Sequence, residues 1–405
     1  MEIFSEPYAL EKARRYEIIR TVGRGAFGEV FLAWDTQTEQ SRLPRPPPSP
    51  RSTAEDLIHR AGGRAHTRQR ERGPGYVALK TVASGVSSSG GRGTSAGAKG
   101  LSKGLFRELR ALQMAGECPH IVRLLDVYPE GSNAVLVLEY MPSDLAKMLD
   151  GAPHPLEEAH CKAYTRMLLK GLAWMHAHGL LHRDIKPSNL LLSAGGVLKI
   201  GDFGQTRTHT VPQTRSYSHQ VATRWYRAPE LLYGTRRYGF AVDMWAAGAV
   251  LGEMLAGRPL CPGRSDIDQL HKILQVTGSP TEETWASVKD LPDYDKVCFA
   301  EMPPQDASVV FQGSSEEACD LTMGMLRLDP LRRTSALEAL QHRCGCLFFT
   351  SNRFGGRSVG VSSSRQVPSF SFFRHYRGAS SVMCRGGDPR SFLPRSWRSY
   401  GHFPG

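Results

Sequence analysis

The sequence predicts an α+β fold of two lobes, a small antiparallel β-sheet carrying one key helix and a larger lobe built of helices. Two observations predict it. Residues 16–140 hold short apolar runs separated by glycines and turn residues, the signature of hairpins, while from Pro155 onward apolar residues recur at helical spacing. A chain of 405 residues with 40% hydrophobic content is also long enough for one large two-lobed unit.

The elements follow in order. Residues 1–15 read as an N-terminal extension. Residues 16–35 place Ile18, Ile19, Val22, Val30 and Leu32 around glycines, which predicts a hairpin, and residues 77–82 and 134–139 predict further strands. A helix is expected over residues 105–114. In residues 160–178, Tyr164, Met167, Leu168, Gly171, Leu172 and Met175 fall on one helical face, and the nearly all-apolar run 242–255 predicts a fully buried helix. The small lobe is thus expected over 16–140 and the large lobe over 141–344.

Three segments stand apart. Residues 41–75 are rich in Pro, Arg and Gly and residues 84–104 in Gly, Ser and Ala, so both read as flexible insertions in the small lobe; the tail 345–405, rich in Ser, Arg, Gly and Phe, shows no period and reads as disordered. The net charge of +12 concentrates there. The tail carries nine Arg against one acid, and residues 41–75 carry eight Arg against three acids, which leaves a body close to neutral. Nucleic acid is therefore an expected partner only through the tail, where arginines interleave with aromatic residues. No apolar run reaches the length of about 20 residues that a bilayer needs, and no secretory leader pattern is seen, so a soluble protein is expected. Eight cysteines without paired two-residue spacings predict reduced thiols; Cys344 and Cys346 leave a metal or redox reading with no second pair to support it.

The chemistry lies in an ordered set of motifs. Gly23-Arg24-Gly25-Ala26-Phe27-Gly28-Glu29-Val30, preceded by Val22, can bring backbone N–H groups close to phosphates, although glycine turns of this kind are common. Val77-Ala78-Leu79-Lys80 then puts a lysine on a strand, where it can neutralise phosphate charge, and Glu108 on the next helix can pair with it. In His182-Arg183-Asp184-Ile185-Lys186-Pro187-Ser188-Asn189, Asp184 can orient an attacking hydroxyl and take its proton, Lys186 can steady the γ-phosphate, and Asn189 can hold a magnesium ion. Asp202-Phe203-Gly204 supplies a second magnesium carboxylate. ATP and Mg²⁺ are the cofactors these residues call for.

The ordered set resembles the eukaryotic protein kinases over residues 16–342 apart from the insertions, and Ala228-Pro229-Glu230, Asp243, Trp245 and Arg333 extend the resemblance. It implies the bilobal protein kinase fold, with adenine between Ala78 and the backbone of Glu139 and Met141, Leu138 as gatekeeper, and Asp144 completing the nucleotide site. Residues 218–230 resemble the cyclin-dependent kinase group, and residues 141–146, 167–171, 219–233 and 291–296 the cell-cycle-related subfamily within it. The resemblance implies a serine/threonine kinase for Ser/Thr-Pro sites, with Thr223, Arg224 and Arg227 binding substrate. It also implies a cytoplasmic or nuclear location, and roles in the cell cycle and in cilium or flagellum length.

Regulation is read from the same alignment. Ser218 is the expected activating phosphosite, met by Arg107, Arg183 and Arg207, with an upstream kinase to modify it. Departures from the group matter too: Ala26 and Phe27 cannot be phosphorylated where many members carry Thr and Tyr, and the helix around Glu108 lacks the cyclin-binding sequence, so a cyclin partner is not expected. A catalytically silent scaffold and an RNA-binding protein acting through its tail are the competing readings. The first leaves the full set of catalytic residues without use, the second the ordered motifs.

Overall fold

The structure is a computed structural model and describes residues 6–25, 28–37, 75–83, 102–131, 133–152, 154–209 and 216–346. Nearly all of the expected insertions 41–75 and 84–104 and of the tail 345–405 lies outside these residues, as do Ala26 and Phe27 of the glycine turn.

A helix, α1 (Glu6–Arg15), leads into a five-stranded antiparallel sheet of β1 (Tyr16–Gly25), β2 (Gly28–Asp35), β3 (Tyr76–Ala83), β4 (Leu124–Glu130) and β5 (Asn133–Glu139), in the order β1-β2-β3-β5-β4. Strand alternation divides β3: Val77 and Leu79 pack with Tyr16, Ala33, Tyr128, Val135 and Val137 on one face, while Ala78 and Lys80 belong to the other. Arg15 pairs with Asp35 through two contacts of 2.7 Å, and Lys12 and Tyr16 both reach Asp126, which ties α1 to the sheet. On the opposite face lies α2 (Lys103–Ala115), capped by Ser102, whose Oγ accepts the N–H of Leu105. The helix therefore begins inside the segment expected to be a loop. A serine N-cap three residues before the amphipathic stretch 105–112 outweighs the glycine-rich composition that precedes it.

Strand β4 was not expected, because Asp126 and Pro129 interrupt its pattern. It pairs on one side only, with β5, and such an edge strand tolerates proline.

The large lobe is helical. Short β6 (Ser143–Asp144), α3 (Leu145–Gly151), α4 (Glu158–Ala177) and β7 (Leu180–Leu181) precede the small strands β8 (Leu190–Leu192), β9 (Leu198–Ile200) and β10 (Arg207–Thr208). Then come α5 (Pro229–Leu232), α6 (Ala241–Ala256), α7 (Asp266–Thr277), α8 (Ala307–Val310), α9 (Glu316–Met325), α10 (Ala336–Gln341) and α11 (Arg343–Cys346). The two 20- and 16-residue helices α4 and α6 are the scaffold: α6 is buried from Val242 to Leu255 on all sides, as its unbroken apolar composition requires. Gly171 lets α4 approach β9, since a Cβ there would stand 2.7 Å from Ile200 Cδ1 and 3.1 Å from the carbonyl of His120. Helix α11 takes in the first two residues of the expected tail. No described helix is long and apolar enough to cross a membrane.

Candidate active site

The site is built from β3 and α2 together with residues that follow β7 and β9. Register places Lys80 opposite Val30 on β2 and Leu136 on β5, so the glycine turn and the lysine stand on neighbouring strands. Gly28 at the turn has φ +133°, and an added Cβ would fall 1.8 Å from the carbonyl oxygen of Thr81, so this position admits only glycine. Lys80 Nζ donates to Glu108 Oε1 at 2.8 Å and to Asp202 Oδ1 at 2.7 Å. Three residues separated by 28 and 122 positions thus form one charge cluster. Burial alone would lower the Lys80 pKa, but Glu108 and Asp202 outweigh it and raise it; burial would raise that of Asp202, and Lys80 holds it below the ordinary carboxylate range.

Asp184 is buried, and both of its carboxylate oxygens are engaged. Its Oδ1 accepts the backbone N–H of Thr223 at 3.0 Å and the Thr223 hydroxyl at 3.1 Å, and its Oδ2 accepts Asn189 Nδ2 at 3.0 Å and faces Lys186 Nζ at 2.9 Å. Lys186 Nζ also donates to Thr223 Oγ1 at 2.9 Å. A hydroxyl already sits against the carboxylate, held by an ammonium group, which is the contact an incoming substrate hydroxyl would make.

Helix α6 fixes the backbone of this loop. Asp243, fully buried, accepts the N–H groups of His182 at 2.9 Å and Arg183 at 2.8 Å, and His176 Nε2 donates to it at 3.1 Å. Those bonds hold Arg183 at φ +69°. His182 donates through Nε2 to the Gly201 carbonyl at 2.9 Å, accepts the Asp184 N–H on Nδ1, and packs edge-on against Phe203 at 5.4 Å. Asp202 itself has φ +54°. Left-handed backbone at two charged residues costs on the order of 1–3 kcal/mol each, which the surrounding bonds must offset.

The segment after Asp202 is arranged around Arg183. Its Nε donates to the Gln205 carbonyl at 2.8 Å and its Nη1 to the Tyr238 hydroxyl at 2.9 Å; Tyr238 in turn donates to the Ser218 carbonyl at 2.6 Å. Ser218 is exposed. Arg207 is half-buried beside Arg183 and Arg107, and burial together with those two like charges pulls its pKa down to about 10. The three arginines expected to meet a phosphate are therefore close enough to repel one another.

Further along, Ala222 has φ +63°, and its carbonyl accepts Arg227 Nη2 at 3.0 Å while Arg227 Nε donates to the Val221 carbonyl at 2.9 Å. Arg224 and Arg227 share Asp266, at 2.9 and 3.1 Å. The segment ends on Glu230, which forms a buried two-bond pair with Arg333 at 2.8 and 3.0 Å.

The expected nucleotide residues divide into groups. Val22 and Gly23, and the backbone of Arg24 and Gly25, belong to β1, and Glu29 follows Gly28 on β2. Ala78 pairs with Leu138, and the next residue, Glu139, closes β5 ahead of Met141. The Glu139 carboxylate is held by Lys199 Nζ at 2.7 and 2.8 Å and by the Arg123 N–H at 2.8 Å. Asp144 caps α3 through the Lys147 N–H. Tyr238, His176 and Lys199 were missed by sequence reasoning. Each lies 55, 67 or 60 residues from its partner, and no local pattern marks it.

Among the described residues no three His, Cys, Asp or Glu side chains form a metal cluster. A hard cation could be held by the Asp202 carboxylate and the Asn189 side-chain oxygen, whose amide nitrogen is committed to Asp184, with phosphate oxygens completing its shell.

Comparison with known proteins agrees with this geometry. A protein kinase domain family matches residues 67–344. Cyclin-dependent kinase 20 of Rattus norvegicus is 46% identical over 252 residues, 62% of this chain and 72% of that protein, and its Homo sapiens counterpart is 46% identical over 246 residues, 61% and 70%. Cyclin-dependent kinase 7 of Xenopus laevis is 35% identical over 332 residues, 82% of this chain and 81% of that protein.

Proposed function

This chain belongs to the protein kinase family, in its cyclin-dependent kinase group, and we propose that it transfers the γ-phosphate of ATP to Ser or Thr hydroxyls followed by Pro. The observation that carries the reading is the pair of charge clusters, Lys80 with Glu108 and Asp202, and Asp184 with Asn189, Lys186 and Thr223.

In this reading Lys80, fixed by Glu108, positions the α- and β-phosphates together with the glycine-rich sequence Val22, Gly23, Arg24, Gly25, Ala26, Phe27, Gly28, Glu29 and Val30. Adenine lies against Ala78 and the backbone of Glu139 and Met141, with Asp144 at the ribose. Mg²⁺, held by Asp202 and Asn189, supplies charge neutralisation at the phosphates. Asp184 orients the substrate hydroxyl and accepts its proton, and Lys186 steadies the γ-phosphate as charge develops. In this reading the Thr223 hydroxyl, held between Asp184 and Lys186, marks where the substrate hydroxyl binds.

Proline selectivity is supported by Ala222. Its carbonyl is turned by the left-handed φ and occupied by Arg227, so a substrate residue after the acceptor would bury an N–H without this partner. Proline has no N–H to satisfy. Arg224 is joined to Arg227 through Asp266. A phosphate on Ser218 would neutralise the repulsion among Arg107, Arg183 and Arg207 and order the segment from Asp202 to Glu230. Roles in cell-cycle progression and in cilium or flagellum length belong to the same reading by resemblance.

A peptide array on enzyme phosphorylated at Ser218 tests it. Ser-Pro and Thr-Pro peptides should be phosphorylated at least about tenfold faster than Ser-Ala or Thr-Ala. Equal rates would overturn proline direction, and no transfer to any peptide would overturn the kinase reading itself.

A further inference from the structure

The end of β5 departs from the hydrogen-bonding rule of an antiparallel pair. Leu124 of β4 faces Leu138 of β5, so the next pair outward is Arg123 with Glu139. Residues paired in this way ordinarily exchange two backbone bonds, each N–H donating to the other's carbonyl. Glu139 keeps its half and donates to the Arg123 carbonyl at 3.0 Å, but the Arg123 N–H donates to Glu139 Oε1 at 2.8 Å. The side chain has taken the place of its own carbonyl in the ladder.

Lys199 holds it there. Its Nζ donates to Oε1 at 2.7 Å and to Oε2 at 2.8 Å, so Oε1 serves both donors. The lysine stands on a backbone fixed from two sides. Lys199 faces Leu191 of β8, and the following residue, Ile200, donates to the His120 carbonyl at 2.8 Å and accepts the Val122 N–H at 2.9 Å. With 15% of the lysine and 23% of the glutamate side chain exposed, the ion pair contributes little to folding. Its consequence is positional, since it selects one rotamer of a side chain that has several.

We propose that Glu139 and Lys199 are positioning residues for base recognition, resting on the placement of adenine in the kinase reading. The carboxylate engages the Arg123 N–H, so that the Glu139 carbonyl is left to accept the exocyclic amino group of adenine. ATP is thereby distinguished from a nucleotide whose purine carries no amino group.

Titration calorimetry on the full chain with Mg²⁺-ATP and with Mg²⁺-purine riboside triphosphate, the analogue without the amino group, tests this. Wild type should bind ATP at least about fivefold more tightly. Glu139→Ala frees the Arg123 N–H to take the carbonyl, and the ratio should fall to about one. Glu139→Gln keeps an oxygen for that N–H and should hold the ratio within about twofold of wild type, which general damage to the small lobe would not do. Lys199→Met leaves the Glu139 side chain unheld and should lower the ratio at least about twofold. A Glu139→Ala protein with the wild-type ratio, or a Glu139→Gln protein as indifferent as Glu139→Ala, would overturn the proposal, and so would an unchanged ratio in Lys199→Met. A wild type that binds neither nucleotide would overturn the kinase reading itself, and one that binds both equally the placement of adenine.

Discussion

Asp243→Asn is the substitution whose consequences follow most directly from the geometry. The wild-type carboxylate accepts three hydrogen bonds, from the N–H groups of His182 and Arg183 and from His176 Nε2, in a site with no access to water. Asparagine keeps the shape and one oxygen. Whichever way the amide is turned, its NH₂ faces a backbone N–H, which leaves two donors unsatisfied and weakens the bond to His176. At about 1–3 kcal/mol for each buried unsatisfied group, a loss of roughly 3–5 kcal/mol of folding stability is expected. The same bonds hold Arg183 at φ +69°, and relief of that strain would shift the backbone next to Asp184; a displacement on the order of 1 Å costs about a hundredfold in rate. Urea unfolding followed by tryptophan fluorescence measures the first quantity, and initial rates at saturating ATP the second. The pH dependence has a definite sign. Burial by itself would raise the pKa of Asp243, but His176, His182 and the Arg183 N–H outweigh it and hold it below the ordinary value. A depressed folded-state pKa means stability that is present above the unfolded value of about 3.9 and is lost as pH falls toward the folded one. The gap between wild type and variant should therefore narrow below about pH 4. A variant within about 1 kcal/mol of wild type at pH 7 that keeps half its rate would refute the role assigned to these three bonds.

Other expectations concern the site directly. Asp184→Asn should reduce turnover below about a tenth of wild type while ATP affinity stays within a few-fold, and higher turnover would remove Asp184 from the base role. Lys80→Met leaves Glu108 and Asp202 without their shared cation, so it should weaken nucleotide binding itself, as read by titration calorimetry with Mg²⁺-ATP. Ser218→Ala purified from cells should lose most activity toward peptide, and Arg183→Ala should make phosphorylated and unphosphorylated enzyme nearly equal; full activity in Ser218→Ala would mean that packing alone orders the segment. Arg333→Met strands the buried Glu230 carboxylate and should cost about 3–5 kcal/mol, with at least half recovered in Arg333→Met/Glu230→Leu.

Much of the site was legible because its residues come in short runs whose spacing is set by local geometry. The glycine turn, the strand bearing Lys80, the loop from His182 to Asn189 and the Asp202-Phe203-Gly204 turn each read as units, and the α6 helix announced itself by composition alone. Less legible was anything that depends on two distant segments meeting. Strand β4 was hidden by Asp126 and Pro129, whose acceptability depends on the strand lying at the sheet's edge, and the start of α2 by the glycines before Ser102.

The sequence by itself determined the α+β order of elements and which charged side chains come in short ordered motifs, because residue type and local spacing define both. Only the tertiary structure decided how those charges are held. It brought Lys80 between Glu108 and Asp202, set Asp243 beneath the backbone of His182 and Arg183, and let Tyr238 join Arg183 to Ser218, across separations of 20 to 122 residues. Such contacts exist only once burial has excluded water, since a surface ion pair or hydrogen bond would gain little over its hydrated partners. The left-handed backbone of Arg183, Asp202 and Ala222 belongs to the same level. Neither arginine nor alanine asks for it, and the packed lobes impose it.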